Sequence, residues 1–262
     1  MVCIFCDKEN EAGSIEHIVS ESFGNKRYLM ARGAVCDQCN NKFAAFEKKA
    51  LSNTVFLMER ARFGIGNKRG KNAKGEIGDL EIMGHEDLEK QKITIKGLSE
   101  KNFKLIDPQN GIGHLIVQSF DKSEVATSRL LLKIGLESIF TSQKGLFKKY
   151  NFQELKDYLS GQTNTDWPFL TTHIQQGKFQ SIPKYYDKYA LKQIKCQLEF
   201  YEFDGDTLLF RFSYGAITMV INLVDRNAEW VKIYSGADQK SRLYPEHFRK
   251  KFDVSNGSED HA

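Results

Sequence analysis

The stretch that decides the fold runs from Ser14 to Phe43 and reads SIEHIVSESFGNKRYLMARGAVCDQCNNKF. It holds an adjacent glutamate and histidine, Glu16 and His17, and it ends in a Cys-x-x-Cys pair that two asparagines follow. A second Cys-x-x-Cys pair, Cys3 and Cys6, lies just upstream. The chain has 5 cysteines in 262 residues, so most of its cysteine surrounds a single Glu-His pair.

The composition is that of an ordinary folded protein, with 40% hydrophobic and 12% aromatic residues. No apolar run approaches the ~20 residues that a membrane-spanning helix needs. The N-terminus, MVCIFCDKEN, lacks the charged and apolar regions of a secretory signal. We therefore expect a cytoplasmic protein without membrane contact. The net charge of +4 is compatible with a nucleic-acid partner but does not indicate one.

The paired cysteines favour a metal site. Disulfides are rare in the cytoplasm, where a Cys-x-x-Cys pair more often binds metal or does redox work. Each pair makes a tight knuckle that presents two thiolates, and four thiolates close the tetrahedral site of structural zinc. Redox chemistry at either pair is the competing interpretation. We predict one structural Zn²⁺ bound by Cys3, Cys6, Cys36 and Cys39, and we expect the fifth cysteine, Cys196, to lie in the core.

Hydrophobic periodicity predicts the surrounding elements. The segment SIEHIV alternates like a strand, with Glu16 and His17 on opposite faces, so we expect the strand to break or bulge near His17. From Asp37 apolar residues recur at spacings of three and four, which predicts a helix. Short strands are expected at 76–120, a long helix at 123–140, and antiparallel strands from residue 194 onward.

Two basic stretches are candidates for nucleic-acid contact. The first, RARFGIGNKRGKNAKG at 60–75, contains no acidic residue, and its candidate phosphate-binding residues are Lys68, Arg69, Lys71 and Lys74. A solvated linker is an equally open interpretation of this segment. The second, at 180–195, interleaves tyrosines with lysines and either stacks bases or forms a solvated helix with an aromatic inner face.

The first 50 or so residues resemble the HNH endonuclease family. The resemblance rests on Glu16-His17, the loop ESFGNKR, and the second knuckle, Cys36-Asp37-Gln38-Cys39, followed at once by Asn40. It implies a ββα-metal core stapled by a zinc held by four cysteines. The expected fold is α+β: this small N-terminal core, followed by a larger mixed α+β region with C-terminal antiparallel strands. The expected domains are 1–60 for the zinc-containing nuclease domain, 61–110 for the basic loop and short strands, and 111–262 for an α+β recognition or partner-contact domain.

The resemblance also implies a chemistry. Glu16 and Asn40 would hold a catalytic Mg²⁺ or Mn²⁺, and His17 would take a proton from the attacking water during hydrolysis of a DNA phosphodiester bond. It further implies a setting in restriction or anti-phage defence. A protein partner remains open, and the sequence leaves the oligomeric state undetermined.

Two positions depart from the family pattern. The middle asparagine, which orients the loop and the histidine, is missing from its usual place before the second knuckle, and Asn25 or Asn41 is left as a substitute. A lysine common three residues after the ligand position is replaced by Phe43. These departures keep an alternative open: a zinc-dependent nucleic-acid-binding module, or a partner-activated subunit, with a degenerate site.

Overall fold

A computed structural model describes most of the chain, namely residues 1–10, 13–25, 28–67, 69–163, 165–172, 180–182, 196–203, 205–234 and 241–249. Lys68 and most of the tyrosine- and lysine-rich stretch at 180–195 lie outside these ranges. Helices and antiparallel sheets make up the described part, which confirms the predicted α+β class. In these ranges, no helix has both the length and the apolar character that crossing a membrane requires.

The helices follow the predicted periodicity. In the described ranges they are α1 (Asp37–Leu51), α2 (Thr54–Arg62), α3 (Glu124–Ser142), α4 (Lys144–Lys149), α5 (Gln153–Ser160) and α6 (Trp230–Ile233), with a 3-10 helix at Glu21–Phe23. The side chain of Ser123 accepts a hydrogen bond from the Ala126 amide at 3.1 Å, which starts α3 as expected for an N-cap serine. Helix α5 ends at Gly161, whose φ of 75° suits a glycine C-cap.

The strands form three antiparallel sheets within the described residues. The strands are β1 (Lys74–Ile77), β2 (Leu80–Gly84), β3 (Ile93–Lys96), β4 (Phe103–Asp107), β5 (Ile112–Leu115), β6 (Phe169–Thr172), β7 (Gln180–Ile182), β8 (Cys196–Glu202), β9 (Leu208–Tyr214), β10 (Ile217–Asn222) and β11 (Arg242–Tyr244). Strands β1 to β3 form one sheet and β4 pairs with β5. The largest sheet has the order β11-β6-β10-β9-β8-β7, so the predicted C-terminal antiparallel strands are confirmed.

Helix α3 lies between the N-terminal unit and the six-stranded sheet. It packs on α1 on one side. On the other side a Cβ added at Gly135 would lie 2.7 Å from a methyl carbon of Leu223, so the helix approaches the sheet very closely there. One continuous core joins Phe43 of α1, Leu131 of α3 and Phe212 of β9. Residues from the predicted domains 1–60 and 111–262 therefore share a core. The domain limits at 60 and 110 stay a prediction.

Candidate functional site

The four knuckle cysteines meet at one point. Their Sγ atoms all lie within 4.8 Å of one another, and Cys3 and Cys36 are buried. The Sγ atoms of Cys6 and Cys36 are 3.7 Å apart, close to the edge of about 3.8 Å expected for a tetrahedron with Zn–S bonds of ~2.3 Å. None of the four forms a disulfide. In the described part of the chain this is the only cluster of three or more His, Cys, Asp or Glu side chains arranged to hold a metal ion, and it fits zinc.

Backbone amides and neighbouring thiols set the charge of this cluster. The amide of Cys36 donates to Sγ of Cys3, and the amide of Cys39 donates to Sγ of Cys36, each at 3.4 Å. The hydrogen bond with the Cys39 thiol lowers the pKa of Cys3 to about 4 and raises that of Cys39. Burial raises the pKa of Cys6. Four thiols this close together do not all lose their protons without a cation. A bound cation compensates the negative charge of the four thiolates.

A short hairpin precedes α1. His17 and Leu29 form an antiparallel bridge. The Ile18 amide donates to the Tyr28 carbonyl, and the Met30 amide donates to the Glu16 carbonyl, both at 2.9 Å. Two extended segments followed by a helix, with the zinc knuckles at their base, reproduce the expected ββα arrangement.

Asn25 ties the hairpin loop together. Its side chain is 1% exposed. Its Nδ2 donates to the Val19 carbonyl at 2.6 Å, and its Oδ1 accepts from the Tyr28 amide at 3.2 Å. Asn25 thus bridges the two sides of the loop that follows His17, whereas Asn41 is exposed on α1. Of the two asparagines that the sequence left open, Asn25 has the contacts that orient the loop.

Glu16 and His17 point to opposite sides of the hairpin. Glu16 is 7% exposed and Ile18 is fully buried, whereas His17 lies half-buried between them. The backbone bends at Ile18 and Val19, directly after His17. The expected break is therefore present, but it comes too late to bring both side chains to one face.

The two imidazole nitrogens of His17 have different surroundings. Its Nδ1 is buried and has no hydrogen-bond partner in the described ranges. Its Nε2 lies 3.6 Å from Oε1 of Glu21, which is too long for a hydrogen bond. Sequence reasoning did not single out Glu21, although it stands four residues after the histidine.

Asn40 lies in the first turn of α1. Its Nδ2 donates to Oγ of Ser14 at 3.3 Å, and that hydroxyl in turn donates to Asp37. Its Oδ1 accepts no hydrogen bond from the described residues, so this oxygen is open to a ligand. In the same ranges no hydrogen bond or ion pair joins Glu16, His17 and Asn40 to one another.

A family model described as HNH endonuclease matches residues 3–56. The HNH resemblance is confirmed for this segment. The matched residues, which form the HNH segment, include all four knuckle cysteines together with Glu16, His17, Asn25 and Asn40. Comparison with curated proteins gave no match, and comparison with solved structures gave none.

Inside the protein, Glu16 of the HNH segment meets a lysine from α3. Nζ of Lys133 lies 2.6 Å from Oε1 of Glu16, 2.8 Å from Glu47 and 3.2 Å from Glu137. Burial raises the pKa of Glu137 well above its usual value, and the neighbouring Lys133 ammonium acts in the opposite direction. Burial lowers the pKa of Lys133, but Glu137, Glu47 and Glu16 outweigh that effect and keep the ammonium charged.

Sequence reasoning missed Lys133, Glu47 and Glu137. A signal was present for two of them: Lys133 and Glu137 stand four residues apart in LLLKIGLESIF, which is otherwise almost wholly apolar. Charged residues inside such a helix are rarely buried unless they are paired. That signal points to a buried ion pair, but it does not say that the partner would be Glu16.

The predicted basic residues lie on the surface outside the HNH segment. Arg69, Lys71 and Lys74 are exposed. Oδ1 of Asn67 accepts hydrogen bonds from the amides of Arg69 and Lys71 at 2.9 and 3.1 Å, so the loop has a defined turn. Lys74 pairs with Glu81 at 2.5 Å. Lys68 falls outside the described residues.

Proposed function

We propose that this chain is a metal-dependent endonuclease that hydrolyses phosphodiester bonds in DNA, with His17 as general base. The observation that carries the proposal is the HNH segment itself, in which a half-buried histidine sits on a hairpin whose loop is bridged by a buried asparagine. We assign the role to Nε2, because Nδ1 is buried whereas the side chain as a whole is 27% exposed, and a neutral imidazole accepts a proton from attacking water.

We propose Glu16 and Asn40 as the protein ligands of the catalytic ion. Oε2 of Glu16 and Oδ1 of Asn40 receive no hydrogen bond from the described residues, so both remain available as oxygen donors. A site with few protein oxygens suits Mg²⁺ or Mn²⁺, which keep several bound waters. Such an ion, when bound, supplies positive charge beside the scissile phosphate. The four cysteines would hold a structural Zn²⁺ that stabilises the ββα fold.

A cleft of about 480 Å³ beside the His17 loop supports nucleic acid as the substrate. Ser20 and Ser22, which flank the turn after His17, form part of its wall. Its charged lining residues are the basic Lys48, Arg60, Lys74 and Lys122 and the acidic Glu47 and Glu76. Basic side chains from α1, α2 and β1 thus line one cleft together with Ser20 and Ser22 of the loop that follows His17, and basic groups are what contact with a phosphate backbone requires.

The biological setting belongs to the same proposal. An HNH segment joined to a larger α+β region fits a cytoplasmic nuclease of restriction or anti-phage defence, in which the larger region selects the target or a protein partner. A zinc-stapled module that binds nucleic acid without cutting it is the alternative, and cleavage separates the two.

The test is cleavage of supercoiled plasmid by purified protein with Mg²⁺, Mn²⁺ or EDTA. We expect cleavage with either ion and none with EDTA. His17→Ala should lower the rate by about 10²–10⁴-fold, as for loss of a general base, with zinc content and DNA affinity unchanged. His114→Ala is the matched control, because His114 is an exposed histidine on β5. Cleavage by His17→Ala at the wild-type rate would leave the binding module as the better interpretation.

A further inference from the structure

Lys133 reaches the HNH segment from outside it. It belongs to α3, far beyond the matched residues 3–56, and its side chain is 1% exposed. Its Nζ donates to Oε1 of Glu16 at 2.6 Å and lies 3.5 Å from the main-chain carbonyl of His17. One buried ammonium therefore contacts both residues of the Glu-His pair.

We propose that Lys133 is a positioning residue of the nuclease site: it holds the carboxylate of Glu16 and the backbone of His17 in their working orientation. The proposal rests on the proposed function, because it assigns Glu16 to the ion and His17 to the base. It goes further in making α3, a helix outside the HNH segment, part of the active site.

Charge and hydrogen bonding favour positioning over a purely stabilising role. Lys133 faces Glu16 and Glu47 from the HNH segment and Glu137 from its own helix. Oε1 of Glu137 is buried and has no hydrogen-bond partner in the described ranges, so the cluster is not fully satisfied. Well-packed apolar residues often stabilise a core as well as a buried ion pair does. The Lys133 ammonium additionally fixes the orientation of the Glu16 carboxylate.

Lys133 binds only one of the two carboxylate oxygens of Glu16. Lys133 occupies Oε1 of Glu16, and Oε2 has no hydrogen bond within the described part of the chain. Carboxylates that bind metals are commonly held in this way, with one outer hydrogen bond fixing the group. The same nitrogen lies near the carbonyl of His17, so movement of Lys133 would disturb the ligand and the base together.

The test compares two variants of the full-length, zinc-loaded protein. Lys133→Met alone leaves glutamates without their cation and endangers the fold, so the background is Glu47→Gln with Glu137→Gln, to which Lys133→Met is added. The triple variant should keep its zinc and its KM for plasmid DNA. Relative to the background it should lose about 10–100-fold in kcat and in Mn²⁺ affinity measured by titration calorimetry. Amide exchange in the peptide 14–30 should accelerate.

Lys149→Met is the control for loss of a lysine ion pair, because Lys149 pairs with Glu202 at the exposed surface. It should behave like wild type in all five measurements. Equal Mn²⁺ affinity and equal hairpin exchange in the triple variant and its background would overturn the positioning role. If neither the wild type nor any variant cuts DNA, but Mn²⁺ affinity and hairpin exchange still depend on Lys133, the positioning role stands and the nuclease proposal fails.

Discussion

Nζ of Lys133 lies 2.6 Å from Oε1 of Glu16, although the two residues are 117 positions apart in the chain. The contact joins the middle of α3 to the hairpin of the HNH segment. Lys133 and Glu137 are almost wholly inaccessible to solvent, and Glu47 is 20% exposed. The hairpin that carries His17 is therefore held by a lysine that the HNH match does not include.

The cluster of Lys133 with Glu16, Glu47 and Glu137 predicts which of its variants are more stable. Lys133→Met alone should lower the free energy of unfolding by about 3–5 kcal/mol, because it leaves buried carboxylates without a cation. Adding Glu47→Gln and Glu137→Gln should recover much of that loss, since the remaining core then carries less uncompensated charge. Urea unfolding followed by circular dichroism measures both changes. A triple variant less stable than Lys133→Met would contradict the electrostatic explanation.

The zinc prediction concerns stoichiometry and thiol protection. Purified protein should contain about one Zn²⁺ per chain, and Cys36→Ser should unfold or aggregate the N-terminal unit, because metal binding contributes folding free energy in such small units. Thiol titration should find the knuckle cysteines protected until a chelator removes the metal. Cys196→Ser is the control, because this cysteine is not among the four clustered thiols and its loss should leave the zinc content unchanged. Four freely titratable knuckle thiols in a folded, metal-free protein would refute the site.

Cys196 gives a pH dependence with a definite sign. Burial raises the pKa of this thiol, which is fully inaccessible in β8. The folded state therefore keeps a proton that the unfolded state loses above pH ~8.5, so this contribution to stability is present below that pH and declines above it. We expect the difference in urea midpoint between wild type and Cys196→Ala to narrow between pH 7.5 and 10, in experiments with zinc present. A difference in urea midpoint that stays constant from pH ~7.5 to ~10 would show that burial does not raise the pKa of Cys196.

Substitutions at Asn40 test the proposed ion ligand. Asn40→Ala should reduce cleavage and raise the metal concentration needed for half-maximal rate, because a ligand oxygen is removed. Asn40→Asp and Asn40→His should retain part of the activity, and Asn40→Leu should not. Asn41→Ala is the matched control from the next position of α1, and its effect should be mild. If Asn41→Ala lost activity and Asn40→Ala kept it, the ion ligand would be Asn41 and not Asn40.

The basic loop predicts a change in salt dependence. Neutralising Lys68, Arg69, Lys71 and Lys74 together should weaken DNA binding with little sequence bias. The slope of log K against log salt should flatten by about 0.9 for each DNA phosphate that these side chains no longer neutralise. Fluorescence anisotropy at several salt concentrations measures the slope. The control neutralises exposed lysines of α4, namely Lys144, Lys148 and Lys149. An unchanged slope would identify the loop as a solvated linker.

Local sequence determined much of the N-terminal unit. The two Cys-x-x-Cys spacings are short enough for each pair to form a knuckle on its own, and the structure brings all four thiols together. Apolar spacing marked α1 and α3, and Ser123 and Gly161 cap the ends of α3 and α5 through local contacts. These features depend on contacts between residues a few positions apart, so their pattern is readable in the chain.

Only the tertiary structure decided which distant residues meet. The sequence showed Lys133 and Glu137 as charges in an apolar helix, but their partnership with Glu16 depends on how α3 packs against the hairpin. The choice between Asn25 and Asn41 likewise depended on the path of the loop, which brings the Val19 carbonyl and the Tyr28 amide to one side chain. Periodicity reports which face of an element is buried, but it carries no information about which other face covers it. That pairing is set by the packing of the whole core, and it is what places a lysine of α3 behind the histidine of the HNH segment.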